Sequence, residues 1–327
     1  MTVAGQAGGV AVLAGGVGAA RLLSGLVRVV PPGGLTAVVN TGDDTVLHGL
    51  TICPDLDTIT YTLGGANDTE RGWGLAGETW HAIEALERFA SVRPHGSGAG
   101  ATWFRLGDRD LATHLYRSHR LAEGATLTTV TDEVRRAYGV GVRLVPMTDD
   151  PAPTEVSIAG EGWVSFQTYF VGRRHSVAID GVRFGAATHA AHASRTALAA
   201  LDDAATIVVA PSNPIVSLGP LLAFDDIRRR IEAARDRVVA VSPIVGGAAI
   251  KGPADRMLIE LGHESSVVGV ARVYASIAAT LVIDEVDRHL AHAVEAAGMR
   301  AVVTDTIMRD EAAAAALAGV VLDAVRA

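Results

Sequence analysis

The feature that most constrains this chain is a recurring short apolar run that stops at small or polar residues. Residues 10–14, 35–39, 207–210, 238–241, 267–271, 280–283 and 301–303 are such runs. They are too short for buried helices and rich in Val and Ile, which suits strands. Runs apolar at successive positions suit strands covered on both faces, the situation of a parallel sheet with helices on each side. The segments that follow them include Gly15-Gly16-Val17-Gly18, Asn40-Thr41-Gly42-Asp43-Asp44, Pro211-Ser212-Asn213-Pro214 and Ser242-Pro243. An open parallel sheet binds ligands beyond the carboxyl ends of its strands, so these segments are placed on one edge. The predicted fold is α/β: a doubly wound, mostly parallel Rossmann-like sheet. Its core is expected from roughly 1–65 and 202–327, with a mixed α/β insert, 66–201, over the ligand edge. Within the insert, 142–147 reads as a strand, 155–159 and 163–171 alternate like strands, 127–138 reads as a helix capped by Thr131, and 188–200 as an Ala-rich helix.

Composition excludes several classes. The 327 residues are 49% hydrophobic and 20% charged, which supports a large core and argues against disorder. A net charge of −8 implies no nucleic-acid partner. Cys53 is the only cysteine, so no internal disulfide forms and a reducing compartment is expected. The first residues lack a basic n-region, and no apolar run approaches membrane-spanning length. The expected location is the cytoplasm, with no membrane partner.

The first run, its glycine turn and the apolar periodicity of Leu22, Leu23, Leu26, Val27 and Val30 form a strand–turn–helix unit. Gly15, Gly16 and Gly18 let backbone N–H groups approach a phosphate at a helix N-terminus. Arg21 occupies the third position of the dinucleotide fingerprint, and no Gly-Lys-Ser/Thr follows, so neither that fingerprint nor a P-loop is complete. Residues 40–58 place Asp43, Asp44, Asp55 and Asp57 within fifteen positions. Two readings stand for them: turn and helix-start chemistry, or oxygen ligands for a divalent ion or a polar substrate. Gly107-Asp108-Arg109-Asp110 precedes a helical pattern in which His114 and Arg117 share a face. It reads as an N-cap, or as a guanidinium beside two carboxylates suited to polar ligand atoms. His189 and His192 are spaced as a weak metal pair, and Trp73 between glycines reads as a loop residue able to stack on a ligand.

Taken together, AGGVGAARLLSGL, VVNTGDD, PDLDT, LGDRDLATHL, PMTDDP, APSNPIVSLGP, VVAVSPIVGG and DTIM, spread over residues 14–308, resemble the CofD/FbiA family. These are the 2-phospholactate transferases of deazaflavin coenzyme (F-420) biosynthesis. The resemblance implies transfer of a phosphorylated three-carbon acid, phospholactyl or phosphoenolpyruvyl, from a GDP-activated donor. The acceptor is the ribityl terminal hydroxyl of the deazaflavin FO; GMP leaves, and Mg²⁺ and a homodimer are implied. On this reading Asp43, Asp44 and Asp57 hold the metal and do the chemistry. Gly15, Gly16, Gly18, Ser212, Asn213 and Pro214 meet the donor nucleotide, and Asp57, Arg109 and His114 meet the acceptor. The loop 91–101 departs from the family as an extension. The alternatives are a nucleotide-sugar-binding regulatory protein of the gluconeogenesis-factor type, which shares the glycine turn and the paired Asp, and a dinucleotide oxidoreductase, disfavoured by Arg21.

Overall fold

A computed structural model describes residues 8–188 and 190–325. Its centre is a seven-stranded sheet, every strand parallel to its neighbours. The strands are β1 (Gly9–Ala14), β2 (Leu35–Val39), β3 (Arg143–Pro146), β4 (Ala204–Val209), β5 (Val238–Val241), β6 (Thr280–Asp284) and β7 (Arg300–Thr304). Their order across the sheet is β7-β6-β5-β4-β1-β2-β3. This is a doubly wound arrangement whose order reverses between β1 and β4. The edge strand β3 comes from within 66–201 and pairs with β2 from Thr36↔Arg143 to Val39↔Pro146.

Alternation along the strands feeds two cores. Ala11 and Leu13 of β1 join the layer that includes Ile207, Leu218 and Ile227. Val10, Val12 and Ala14 join the other, against Leu22, Leu23 and Leu26 of helix α1 (Gly16–Val29). Each buried Leu contributes roughly 1.5–3 kcal/mol. The C-terminal helix Glu311–Asp323 lies against α1 so closely that a Cβ on Gly25 would sit 2.1 Å from the Ala314 carbonyl oxygen.

Three sequence expectations outside the small sheet are corrected. Residues 267–271 are not a strand but part of the helix Val267–Tyr274. The Ser266 hydroxyl accepts from the N–H groups of Val268 and Gly269, both at 3.1 Å, and this N-cap overrides the β preference of the valines. The helix Leu127–Ala137 is capped by Thr126, not Thr131: its hydroxyl accepts from Thr129 N–H at 3.2 Å, while Thr131 is buried inside the helix. In place of an Ala-rich helix over 188–200, the helix is Arg195–Asp202, started by Ser194, whose hydroxyl accepts from Ala197 N–H. His189, half of the suggested metal pair, lies outside the described residues.

A three-stranded antiparallel sheet, Gly162–Ser165, Thr154–Ile158 and Ile179–Phe184, stands over the carboxyl edge of the main sheet. The alternation expected over 163–171 breaks after Ser165, where the chain turns into a π-helical segment, Thr168–Gly172. Val156, Phe166, Tyr169 and Ile179 pack with Val216 and Met257 of the core. Thr154 N–H donates to Gly42 O at 2.6 Å, and Gln167 Nε2 donates to Asp43 O at 3.2 Å. The small sheet is thus tied to the acidic turn after β2. Among the described residues, no helix is long and apolar enough to cross a membrane.

Candidate active site

Between the strand-reversal edge and the small sheet lies a cavity of about 560 Å³. Its floor is made by the turns after β1, β2 and β4, which the fold brings together at the switch point. Gly15, Gly16 and Gly18 line it, as do Pro211, Ser212 and Asn213. Gly18 is required by a close approach: a Cβ there would lie 2.2 Å from the Pro211 carbonyl oxygen. Gly16 has φ +70°, the left-handed region that favours glycine.

Asn40 clips the turns together. Its Nδ2 donates to Asp55 Oδ2 at 2.8 Å and to Val216 O at 3.4 Å, and its Oδ1 accepts from Gly42 N–H. Ser212 does the same across the switch point, donating to Gly15 O at 2.7 Å and accepting from Gly15 N–H at 3.3 Å. Asn213 caps the turn that follows it: its Oδ1 accepts from the N–H groups of Ile215 and Val216. Pro214 sits in that turn and is buried. The polar atoms of Ser212 and Asn213 therefore shape the floor through bonds within the protein.

Helix α2 (Pro54–Leu63) carries Asp55 and Asp57 in its first turn, so the helix-start reading of PDLDT holds as well. The acidic residues divide into two groups. Asp43 and Asp55 line the cavity, with Asp44 just behind. Burial, reinforced by the charges of Asp55 and Asp44, raises the Asp43 carboxyl well above the usual range. Burial does the same to Asp44, and it pushes Asp55 up to about 6 against hydrogen bonds from Asn40 and Gly16. Asp43 Oδ1 and Asp44 Oδ1 are buried with no hydrogen-bond partner among the described residues.

The second group is neutralised. Asp57 is gripped bidentately by Arg117, whose Nη1 reaches Asp57 Oδ2 at 3.1 Å while Nη2 bonds Oδ1. Among the described residues, Arg117 is the largest fully buried side chain. It stands on helix α3 (Asp110–Ala122), one turn beyond His114. His114 Nε2 lies 3.2 Å from Asp110 Oδ2, and the Tyr61 hydroxyl donates to Asp110 Oδ1 at 2.5 Å. Burial opposes ionisation of Asp110, but His114, Tyr61 and the Arg117 charge outweigh it and hold the carboxyl below its usual range. Burial, with Asp57 and Asp110 nearby, raises the Tyr61 phenol. Asp57, Asp110 and His114 place ligand-type atoms within 4.8 Å of one another.

The cavity roof is aromatic: Trp73, Trp103, Phe104, Phe166 and Phe170. Phe166 and Phe170 stack at 5.3 Å, and Arg71 lies 5.2 Å from the ring centres of both Trp73 and Trp80. Lys251, Arg105 and Arg174 add positive charge to the lining. Burial and the neighbouring Arg21 lower the Lys251 amine. Arg21 itself donates to Met308 O at 3.0 Å.

Of the residues expected from sequence, the fold gathers Gly15, Gly16, Gly18, Asp43, Asp57, His114, Ser212 and Asn213 around one cavity. Asp44 and Pro214 stand behind its wall. Arg109 does not reach it: exposed, it bonds the Ala76 carbonyl, and its backbone N–H donates to Glu78 Oε2 at 2.8 Å. From the same Asp-Arg-Asp, it is Asp110 that turns inward. Arg117, Tyr61, Asn40 and Lys251 were not singled out as site residues from the sequence. For Arg117 the signal was its spacing three beyond His114.

Strand order, switch-point cavity and phosphate-type glycine turn define a doubly wound α/β protein built around a ligand site at the strand ends. Comparison with known proteins sharpens this. The family model described as 2-phospho-L-lactate transferase CofD matches residues 10–322, and the chain belongs to that family of transferases. A phosphoenolpyruvate transferase of Streptomyces griseus is 42% identical over 94% of this chain and 96% of its own length. Its counterpart in Nocardia farcinica is 39% identical over 96% and 94%, and that in Mycobacterium tuberculosis 41% identical over 84% and 86%. Among solved structures, protein BH3568 of Bacillus halodurans superposes with a TM-score of 0.59 over 97% of this chain and all of its own. At 16% identity this speaks to the fold alone.

Proposed function

We propose that this transferase moves a phosphoenolpyruvyl group from a guanosine diphosphate-activated donor to the ribityl terminal hydroxyl of the deazaflavin FO. The product would be an intermediate of coenzyme F-420 biosynthesis, with GMP released. The choice of phosphoenolpyruvyl over phospholactyl follows the names of relatives that match this chain over most of its length. The observation that carries the reading is the polarity of the cavity. It has a glycine turn and Lys251 at its floor and rim, an aromatic roof, and uncompensated carboxylates between them.

In the reaction, the acceptor oxygen forms a bond to the phosphorus that bears the three-carbon acid. The bond from that phosphorus to the bridging oxygen breaks, and GMP leaves with the electron pair. The hydroxyl proton passes to a cavity carboxylate, Asp55. Such a transfer needs charge neutralisation and in-line placement more than covalent help. Gly15, Gly16 and Gly18 give the diphosphate close access to backbone N–H groups, and Lys251 offers a point charge to its oxygens. The roof provides π-faces for a planar ring system. Asp57, oriented by Arg117, offers its remaining lone pairs to polyol hydroxyls.

Magnesium fits the residues present. Asp43 Oδ1 and Asp44 Oδ1 are orphaned carboxylate oxygens in a desolvated cluster, which a hard divalent cation would satisfy. Asp43 would hold it with Asp44 behind, whereas Asp57 already has its cation in Arg117. The ion would supply neutralisation of the phosphate charge. A homodimer is proposed from the resemblance alone.

The test is mass spectrometry of the product formed from FO and a panel of guanylated three-carbon acids. The expected result is a phosphoenolpyruvyl adduct and stoichiometric GMP. A product from a uridine or adenine nucleotide donor only, or none from any guanylated acid, would contradict the reading.

A further inference from the structure

His114 is almost fully buried, yet it lines the cavity, and its two nitrogens are not equivalent. Nδ1 lies 3.3 Å from Arg117 Nη1. A guanidinium has only donors, so Nδ1 must be the accepting nitrogen. A neutral imidazole with an accepting Nδ1 carries its proton on Nε2. That nitrogen is 3.2 Å from Asp110 Oδ2 but has no aligned hydrogen-bond partner among the described residues. Arg117 is itself fixed on three sides: by Asp57, by the Thr51 carbonyl at 3.3 Å, and by His114.

We infer that Arg117 is a positioning residue that locks His114 in its Nε2–H tautomer, so that Asp57, His114 and Asp110 together read a polyhydric chain. Two carboxylates accept and the imidazole between them donates. A hydroxyl both donates and accepts, so one that gives its proton to a carboxylate can receive the Nε2–H on its lone pair. Neither a planar ring face nor a phosphate matches this pattern: the carboxylates repel the phosphate, and the ring offers no donor–acceptor hydroxyls. The same assignment removes the three residues as a metal site, because neither nitrogen of His114 has a lone pair left and the charge of Asp57 is met by Arg117. The tautomer stands on the geometry alone; that the polyhydric chain is the acceptor's ribityl group rests on the transferase reading above.

The test combines a spectrum with kinetics on the full chain. With histidine labelled in ¹⁵N, a long-range ¹H–¹⁵N spectrum of the ligand-free protein should show His114 protonated at Nε2 and bare at Nδ1, assigned by loss of the signals in His114→Gln. Arg117→Lys, which keeps a donor, should retain this pattern, and Arg117→Met should lose it. In turnover, His114→Leu should raise the acceptor KM about tenfold, with the donor KM unchanged, as expected for one lost hydrogen bond. His114→Gln, whose amide can donate from a similar place, should restore the acceptor KM to within a few-fold. An Nδ1–H tautomer, a loss of the Nε2–H signal on adding Mg²⁺, or a His114→Leu effect on the donor KM instead would overturn the inference. If Arg117→Met does not fold, the wild-type and Arg117→Lys spectra decide. Absence of turnover in wild type with the Nε2–H pattern intact would overturn the transferase reading and uphold the tautomer.

Discussion

Two groups of carboxylates stand in or just behind the wall of the same cavity, and they are in opposite electrostatic condition. Asp57 and Asp110 are supplied by the protein: Arg117, His114 and Tyr61 meet their oxygens. Asp43 and Asp55 are buried with only neutral donors bonded to them, and Asp44 feels Arg117 without bonding it; burial drives all three carboxyls up. A desolvated charge without a partner is costly and persists where a ligand completes it. One half is finished, its carboxylates met within the protein, and the other is unfinished; in the proposed reaction the first would hold the acceptor and the second would take the cation and the phosphate.

Substitutions can break the comparison. The largest effect is expected on stability in the finished half. Arg117→Met leaves Asp57 as an unpaired buried charge and should cost about 3–5 kcal/mol in denaturant unfolding. Pairing it with Asp57→Asn should recover most of that, and a strictly additive double variant would show that the pair is not coupled. In the unfinished half, Asp43→Asn should lower turnover by about 10³-fold, with an unfolding midpoint unchanged or higher. Comparable turnover would remove Asp43 from the chemistry.

The Asp55 carboxyl is raised from 3.8 to about 6. A raised folded-state value means that the folded protein holds the proton more tightly. The stabilisation from this group is therefore present below about pH 4 and is lost as pH rises through about 6. Asp55→Asn, without metal, should accordingly stabilise the protein at pH 7.5 by up to roughly 3 kcal/mol. The gain should vanish below pH 4, and thermal melts across that window would expose a gain independent of pH. Smallest, Trp73→Ala should raise the acceptor KM a few-fold through lost stacking, with stability changed by less than about 0.5 kcal/mol, since Trp73 is 47% exposed.

Much of this was legible in the sequence, for physical reasons. Short Val- and Ile-rich runs ending in Gly, Asn, Asp or Pro have few homes other than a parallel sheet, and the strand-end segments indeed meet on one edge. The run at 267–271 misled because its valines favour strands while one residue before it, Ser266, decides for a helix. The acidic stretch was visible, but its division was not: what separates Asp57 from Asp43 is Arg117, sixty residues further on in the chain, and only the fold brings it in. Likewise Arg109 looked the better ligand of Asp-Arg-Asp, yet helix α3 begins at Asp110 and turns that carboxylate inward. Ser212 and Asn213 line the cavity as the sequence suggests, but the bonds that their polar atoms make within the protein are not legible in a sequence, because their partners are set by the fold.

On the proposed reading the Asp43 side of the cavity, and not the Asp57–Asp110–His114 side, takes the divalent cation. Magnesium titration followed by thermal denaturation at pH 7.5, without nucleotide, tests it most directly. Wild type should gain stability with rising Mg²⁺ in the manner of a bound ligand and lose it again on chelation. Asp43→Asn should start as stable as wild type or more so and gain nothing from the metal, while His114→Gln should respond as wild type does. An undiminished magnesium response in Asp43→Asn, or one abolished by His114→Gln, would contradict the account.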